Sequence, residues 1–125
     1  LRFTRFNSAG EKLLGLDRAE LIGKNDYDFF PKDQADFFTK KDREVLSKAG
    51  HIDIAVEPID TKTLGRRYLH TKKIALTDER GEPEFLLGIS QDITEQREAS
   101  ERLEQAHLEL ERRVAERTEE LRLLN

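Results

Sequence analysis

Asp26 and Asp28 are the nearest this sequence comes to a catalytic carboxylate pair. Two residues apart on a helical turn, they do not share a face. The sequence instead predicts Asp26 as a helix cap and Asp28 as a solvated carboxylate. His51 and His70 fall on predicted strands and read as ordinary strand-face residues. No His/Asp/Glu group has the spacing of a metal site. The chain has no cysteine, which removes disulfides, thiolate metal sites and thiolate nucleophiles and fits a reducing compartment. There is no Gly-rich phosphate loop, no Gly-x-Ser-x-Gly and no nucleophile with an identifiable base. The residues nominate no catalytic group, so the chain is expected to be a regulator and not an enzyme.

The elements that would position a site are unevenly distributed. The 125 residues suit one domain and an appendage. Residues 95–125 hold nine Glu, six Arg and no Lys or Asp, whereas the rest of the chain is nearly neutral. Neither part carries the basic face of a nucleic-acid binder. The acidic segment would be repelled by an anionic membrane surface. No stretch approaches the ~20 apolar residues that span a bilayer, and no signal peptide is visible. The expectation is a cytoplasmic fragment without nucleic-acid or membrane contact, any anchor belonging to a longer parent chain.

Along the chain, Arg2 to Asn7 suits a short strand through Phe3 and Phe6. Ser8 is expected to cap a short helix, with Glu11 as its capping-box partner. Gly15 ends that helix. Asp17 caps a turn over residues 18–22, and a further turn over residues 26–30 stops at Pro31. Residues 32–49 show the clearest helical stripe, in Ala35, Phe38, Val45, Leu46 and Ala49, with Asp42 the polar exception and Gly50 the terminator. Three strands follow. In the first, Ile52, Ile54 and Val56 alternate with His51, Asp53 and Glu57, and Pro58 marks an edge or an end. The second runs from Arg67 to Leu76. Asp78 to Gly81 turns the chain into the third, residues 84–93, whose apolar run from Phe85 to Ile89 predicts a central position. The fold class is α+β: an antiparallel sheet with helices on one face, followed by a long C-terminal helix. Residues 1–94 form the domain and residues 95–125 the helix.

Several short motifs resemble the PAS sensory family when taken in order. They are Asn7-x-Ala9 with Leu14-Gly15, Glu20-Leu-Ile-Gly-Lys24 and Asp26-Tyr-Asp-Phe-Phe-Pro31. Asp42-x-x-Val-Leu46, His70-Thr-Lys-Lys73 and Leu87-Gly-Ile-Ser-x-Asp-Ile-Thr94 follow. The resemblance covers about residues 2–94. It implies a five-stranded sheet whose first strand is central. This sequence begins at the second strand, which predicts a weakened or four-stranded sheet, or pairing supplied by a second chain.

The resemblance also implies a pocket between the sheet and the longer helix. By likeness to the light-sensing flavin branch, its sheet side would hold Leu69, Thr71 and Lys73 on one strand and Leu86, Gly88 and Ser90 on the next. Each set keeps the two-residue strand period. Phe37, Phe38 and Leu46 would close the helix side. The same residues also suit a plain hydrophobic core. No cofactor is predicted. Flavin photochemistry needs a cysteine, and Ser90 stands where the flavin branch has glutamine. The haem branch uses a histidine on the long helix, and residues 32–49 contain none. Lys73, if buried, needs a counter-charge, from an anionic ligand, Asp92 or a water; otherwise its ammonium reaches solvent.

Asp92 and Glu95 have capping-box spacing, and Thr94 is the other cap candidate. Asp92, Ile93 and Thr94 thus join the last strand to the helix, where signals leave the domain in the family. From Ser100 a heptad register places Ser100, His107, Val114 and Leu121 at a and Leu103, Leu110, Arg117 and Leu124 at d. That pattern suits a parallel two-stranded coiled coil, weak on its own. Residues 110–121 resemble the linker that follows PAS domains in sensor histidine kinases. The sequence reading is a sensory and dimerisation module of a multidomain bacterial signalling protein. A small-molecule ligand and a homodimer through the helix are its expected partners. A ligand-free relay, or a regulator of a cyclic-dinucleotide enzyme, is the alternative.

Overall fold

The computed structural model describes residues 1–124. The chain divides into two units, Leu1–Ile93 and Thr94–Asn125. The first unit orders as α1 (Ser8–Leu14), α2 (Arg18–Leu21), a 3-10 turn (Asp26–Asp28), α3 (Lys32–Lys48), β1 (His51–Thr61), β2 (Gly65–Thr77) and β3 (Pro83–Asp92). The second is α4 (Thr94–Leu124). The fold is α+β with one three-stranded antiparallel sheet in the order β1-β2-β3.

The expected strand over residues 2–7 is absent. Phe3 instead donates its N–H to the Lys24 carbonyl and accepts from Gly23 N–H, at 2.9 and 2.8 Å. Its backbone is therefore satisfied by the turn after α2 and not by the sheet. Phe3 and Phe6 meet edge to face and pack on the core. No fourth strand joins the sheet among the described residues. β3 is consequently an edge strand and not a central one. Phe85, Leu87 and Ile89 are exposed by 42–53%. The β3 edge is a row of backbone groups open to another strand or to water.

Local chemistry explains the helix ends, with some corrections. Asn7, not Ser8, caps α1 by accepting from Gly10 N–H, while Glu11 turns to the backbone and guanidinium of Arg18. Gly15 closes α1 in the left-handed region at φ 71°. Asp17 precedes α2 without a side-chain cap bond. Asn25 and Asp28 form the capping box of the 3-10 turn, which frees Asp26 from the capping role expected of it. α3 ends at Ala49 and not at Gly50: Ala49 takes φ 47°, and Gly50 N–H reaches the Val45 carbonyl.

The core is one cluster of Leu14, Leu21, Phe38, Ile59 and Leu69, flanked by Phe29 and Phe30. Leu21 is fully enclosed, which stabilises the fold by about 2 kcal/mol. α3 lies across the inner face of the sheet and is fastened to β1 by the Gln34 side chain, which accepts from Asp60 N–H at 2.9 Å. In β1 a register shift between Ile54 and Glu57 interrupts the expected alternation. Val56 is turned out, and Glu57 is turned in and buried. An extra residue in one strand reverses the facing of every residue after it.

Candidate functional site

Strand pairing fixes which residues share the inner face. Leu69 pairs with Asp92, Thr71 with Ser90, Lys73 with Gly88 and Ala75 with Leu86. Paired residues of antiparallel strands point to the same side. Leu69, Thr71, Lys73, Leu86, Gly88 and Ser90 therefore lie on one face, with Glu57 and Ile59 of β1 alongside them. Leu69, Thr71 and Lys73 are buried; Leu86 is half-buried, and Gly88 and Ser90 are exposed. The inner face is thus closed over β2 and open over β3.

From the helix side, Phe38 is buried and Phe37 is 38% exposed, touching Phe38 edge to face. Val45 is buried where Leu46 is only half-buried. The polar exception in the helical stripe has a partner: Asp42 Oδ1 lies 2.5 Å from Lys73 Nζ, and both side chains are largely enclosed. The Lys73 ammonium also stands 5.7 Å from the centre of the Phe38 ring. Lys73 therefore neither reaches solvent nor pairs with Asp92. Its counter-charge comes from α3.

Glu57 completes the cluster. Thr71 Oγ1 donates to Glu57 Oε1 at 3.1 Å, and Ser90 Oγ meets Thr71 Oγ1 at 2.8 Å. Glu57 Oε2 is buried and has no hydrogen-bond partner among the described residues. Burial holds the Glu57 carboxyl above the usual carboxylate range, against the pull of Lys73 and Thr71. Asp26 faces the same charges. Burial and then the Asp42 carboxylate push it up to about 6, and Lys73 opposes them. Asp26, Asp42 and Glu57 thus all feel the charge of one ammonium. Neither Asp26 nor Glu57 was a site candidate from sequence. The β1 bulge hides Glu57, and Asp26 reads as a cap until Asn25 is seen to take that place. These three acids, scattered over 32 positions among other carboxylates, offer no local signal.

The inner face continues to the exit of the unit. Arg67 Nε donates to Asp92 Oδ2 at 2.8 Å, and Ile93 N–H bonds to the Tyr68 carbonyl at 2.8 Å. Asp92 and Ile93 are thereby tied to β2 one inner-face pair beyond Thr71 and Ser90. Thr94 opens α4. On α4, Leu103, Leu110, Val114, Leu121 and Leu124 are each more than half exposed. Arg117 is exposed, and His107 lies 3.0 Å from Glu111 one turn on. His70 sits beside Asp53 on the outer face, and His51 is exposed at the start of β1. No group of three potential metal ligands occurs among the described residues. None of the described helices is long and apolar enough to cross a membrane.

The family model of the PAS fold matches residues 1–98. A curated relative, the methanogenesis regulatory histidine kinase FilI of Methanothrix harundinacea (strain 6Ac), is 29% identical over 98 residues, which are 78% of this chain and 11% of that protein. The chain thus spans about a tenth of that relative's length. The structure of VqmA bound to DPO is similar with 26% identity and a TM-score of 0.60, over 72% of this chain and 46% of that one. A PAS domain from Colwellia psychrerythraea shares the fold at 18% identity and a TM-score of 0.59, over 71% of this chain and 75% of that one.

Proposed function

The chain belongs to the PAS family, and from that premise we propose that it is a ligand-responsive sensory module whose output leaves through Asp92, Ile93 and Thr94. One observation carries the reading: the inner-face polar chain Glu57–Thr71–Ser90 ends on the strand that bears Asp92. A group that engages Ser90 pulls on β3 directly, and one that engages Glu57 reaches β3 through Thr71. Asp92 is two residues away along that strand, and Arg67 sets its position against β2. A differential affinity of a few kcal/mol between two β3 positions is enough to shift such an equilibrium.

VqmA, similar over the same part of the chain, is described as bound to DPO. That supports a small-molecule input. FilI is described as a histidine kinase. That supports a kinase as the output partner, with this chain acting as a regulator that performs no catalysis of its own. The exposed leucine stripe of α4 supports self-association through a parallel coiled coil. Cytoplasmic placement and the absence of nucleic-acid contact belong to the same proposal, and the net negative charge of the chain is what supports the second.

Native mass spectrometry after gentle purification tests the proposal. The expected result is a dimer carrying an added small mass, lost when Ser90 is replaced by Leu. Repeated absence of any added mass, with the dimer intact, would favour the ligand-free relay. The internal pairing of Lys73 with Asp42 is the observation on that side, because it leaves Lys73 without need of a ligand.

A further inference from the structure

We propose that Glu57, Thr71 and Ser90 form a proton-operated tether on β3: an ionised Glu57 draws both hydroxyls into line and holds Ser90 to β2, and a proton taken up by Glu57 slackens that hold beside Asp92. The tether rests on the sensory reading above and adds to it the proton as an input and the group that receives it.

The direction of the chain follows from what each group can do. A carboxylate only accepts, so the Thr71 hydroxyl donates its one proton to Glu57 Oε1, at 3.1 Å. Towards Ser90, at 2.8 Å, Thr71 can then only accept, and Ser90 must donate. The negative charge at the end of the chain polarises both bonds in the same sense, and bonds in such a series strengthen one another. Glu57 and Thr71 are buried, which shields the series from water. A protonated carboxyl has lost that charge and can itself donate. The Thr71 hydroxyl is then free to point either way, and its bond to Ser90 becomes an ordinary neutral one.

β3 depends on this bond more than a central strand would, because its far edge is unpaired among the described residues. Ile93 N–H bonds to the Tyr68 carbonyl, and from there hydrogen-bonded and non-hydrogen-bonded pairs alternate along the two strands. Thr71 and Ser90 therefore form a pair without backbone bonds between its own two residues, where side chains come closest. Their hydroxyl bond ties β3 to β2 at a point the backbone does not, two residues before Asp92.

The carboxyl that controls the chain is already biased toward holding a proton. Burial raises it above the usual glutamate range. Lys73 of β2 works against that rise, and Asp42 of α3, paired with Lys73, adds to it. Asp26 of the 3-10 turn shares the same field.

The test is a pH titration of the isotope-labelled full chain by NMR, from about pH 4 to about pH 8. The Glu57 carboxyl carbon, the Ser90 Cβ and the protection factor of the Ile93 amide are expected to change with one midpoint, higher than that of an ordinary glutamate. Protection at Ile93 should fall about threefold on the acid side. In T71V, which keeps the side-chain shape, Glu57 should still titrate while Ser90 and Ile93 no longer follow it. S90A, at an exposed position, should likewise remove the Ile93 step. D26N should keep all three steps, which separates Glu57 from the neighbouring acid. Steps at Ser90 and Ile93 that persist in T71V, or that vanish in D26N, would overturn the tether. So would an Ile93 amide whose protection does not follow Glu57 in the wild type. The native mass measurement above does not depend on these steps, so the sensory reading falls only if that measurement fails as well.

Discussion

Lys73 Nζ lies 2.5 Å from Asp42 Oδ1, joining the middle strand to α3 across a gap of 31 residues. Both side chains are mostly shielded from water. An enclosed pair of this kind contributes little net stability, but removing one partner strands the other charge. Lys73→Met is therefore expected to destabilise the protein by about 3 kcal/mol, and the double variant Lys73→Met, Asp42→Leu to recover most of that loss. Urea unfolding of the two variants decides it; equal losses would show that the pair is not coupled.

Asp26 gives the fold a dependence on pH. Its folded pKa, about 6, lies above the ordinary value of 3.8. The folded state thus holds this proton more tightly than the unfolded state, so its effect on stability is most favourable below pH 4 and is lost as pH rises to about 6. Glu57, also raised, acts in the same direction. Asp26→Asn should be more stable than wild type at pH 7.5 by about 2 kcal/mol and show a flatter profile between pH 4 and pH 6.5. Asp42 and Lys73, whose charges reach Asp26 with opposite effect, remain in both proteins. An unchanged slope in thermal unfolding would remove this role from Asp26.

Arg67 is expected to set the stiffness of the exit. Its guanidinium holds Asp92 beside the Ile93–Tyr68 backbone bond. Arg67→Ala should speed amide exchange at Ile93 about tenfold, the equivalent of about 1.4 kcal/mol of local opening. The amide of Ala75, bonded to the Gly50 carbonyl at the opposite end of β2, should be unaffected. Hydrogen exchange followed by NMR reads both sites in one experiment, and uniform acceleration would mean global destabilisation instead.

Ala49 closes α3 in the left-handed region at φ 47°, a conformation that costs a residue with a Cβ about 1 kcal/mol. Ala49→Gly should therefore stabilise the protein by about 1 kcal/mol in chemical unfolding, despite the greater freedom of glycine in the unfolded chain. A loss of stability would show that the Cβ is worth more in packing than it costs in backbone strain.

The leucine stripe of α4 should govern self-association. Leu110→Asp places a charge at the middle of the exposed stripe and should raise the dimer dissociation constant more than a hundredfold by sedimentation equilibrium. Wild-type protein that sediments as a monomer at millimolar concentration would remove the coiled-coil proposal.

The sequence by itself determined the kinds and order of the elements from α1 onward, though not the strand expected over residues 2–7. The apolar stripe from Ala35 to Val45, the left-handed glycine at Gly15 and the turn at Asp78–Gly81 are local features, and helix or hairpin follows from neighbours within a few positions. The two-residue period of Leu69, Thr71 and Lys73 likewise put them on one face before any partner strand was known. The tertiary structure alone decided which face, which edge and which charges meet. The apolar run Phe85–Ile89 reads as a central strand, yet it lies at an edge because no described segment pairs with its far side. Glu57 reads as solvent-facing, yet one bulge turns it inward. Asp42 reads as a flaw in a helix, yet Lys73 makes it half of an ion pair. Local periodicity encodes the conformation of a segment, whereas a sheet edge or a buried charge pair depends on which distant segment arrives opposite, and that is fixed only when the chain closes on itself.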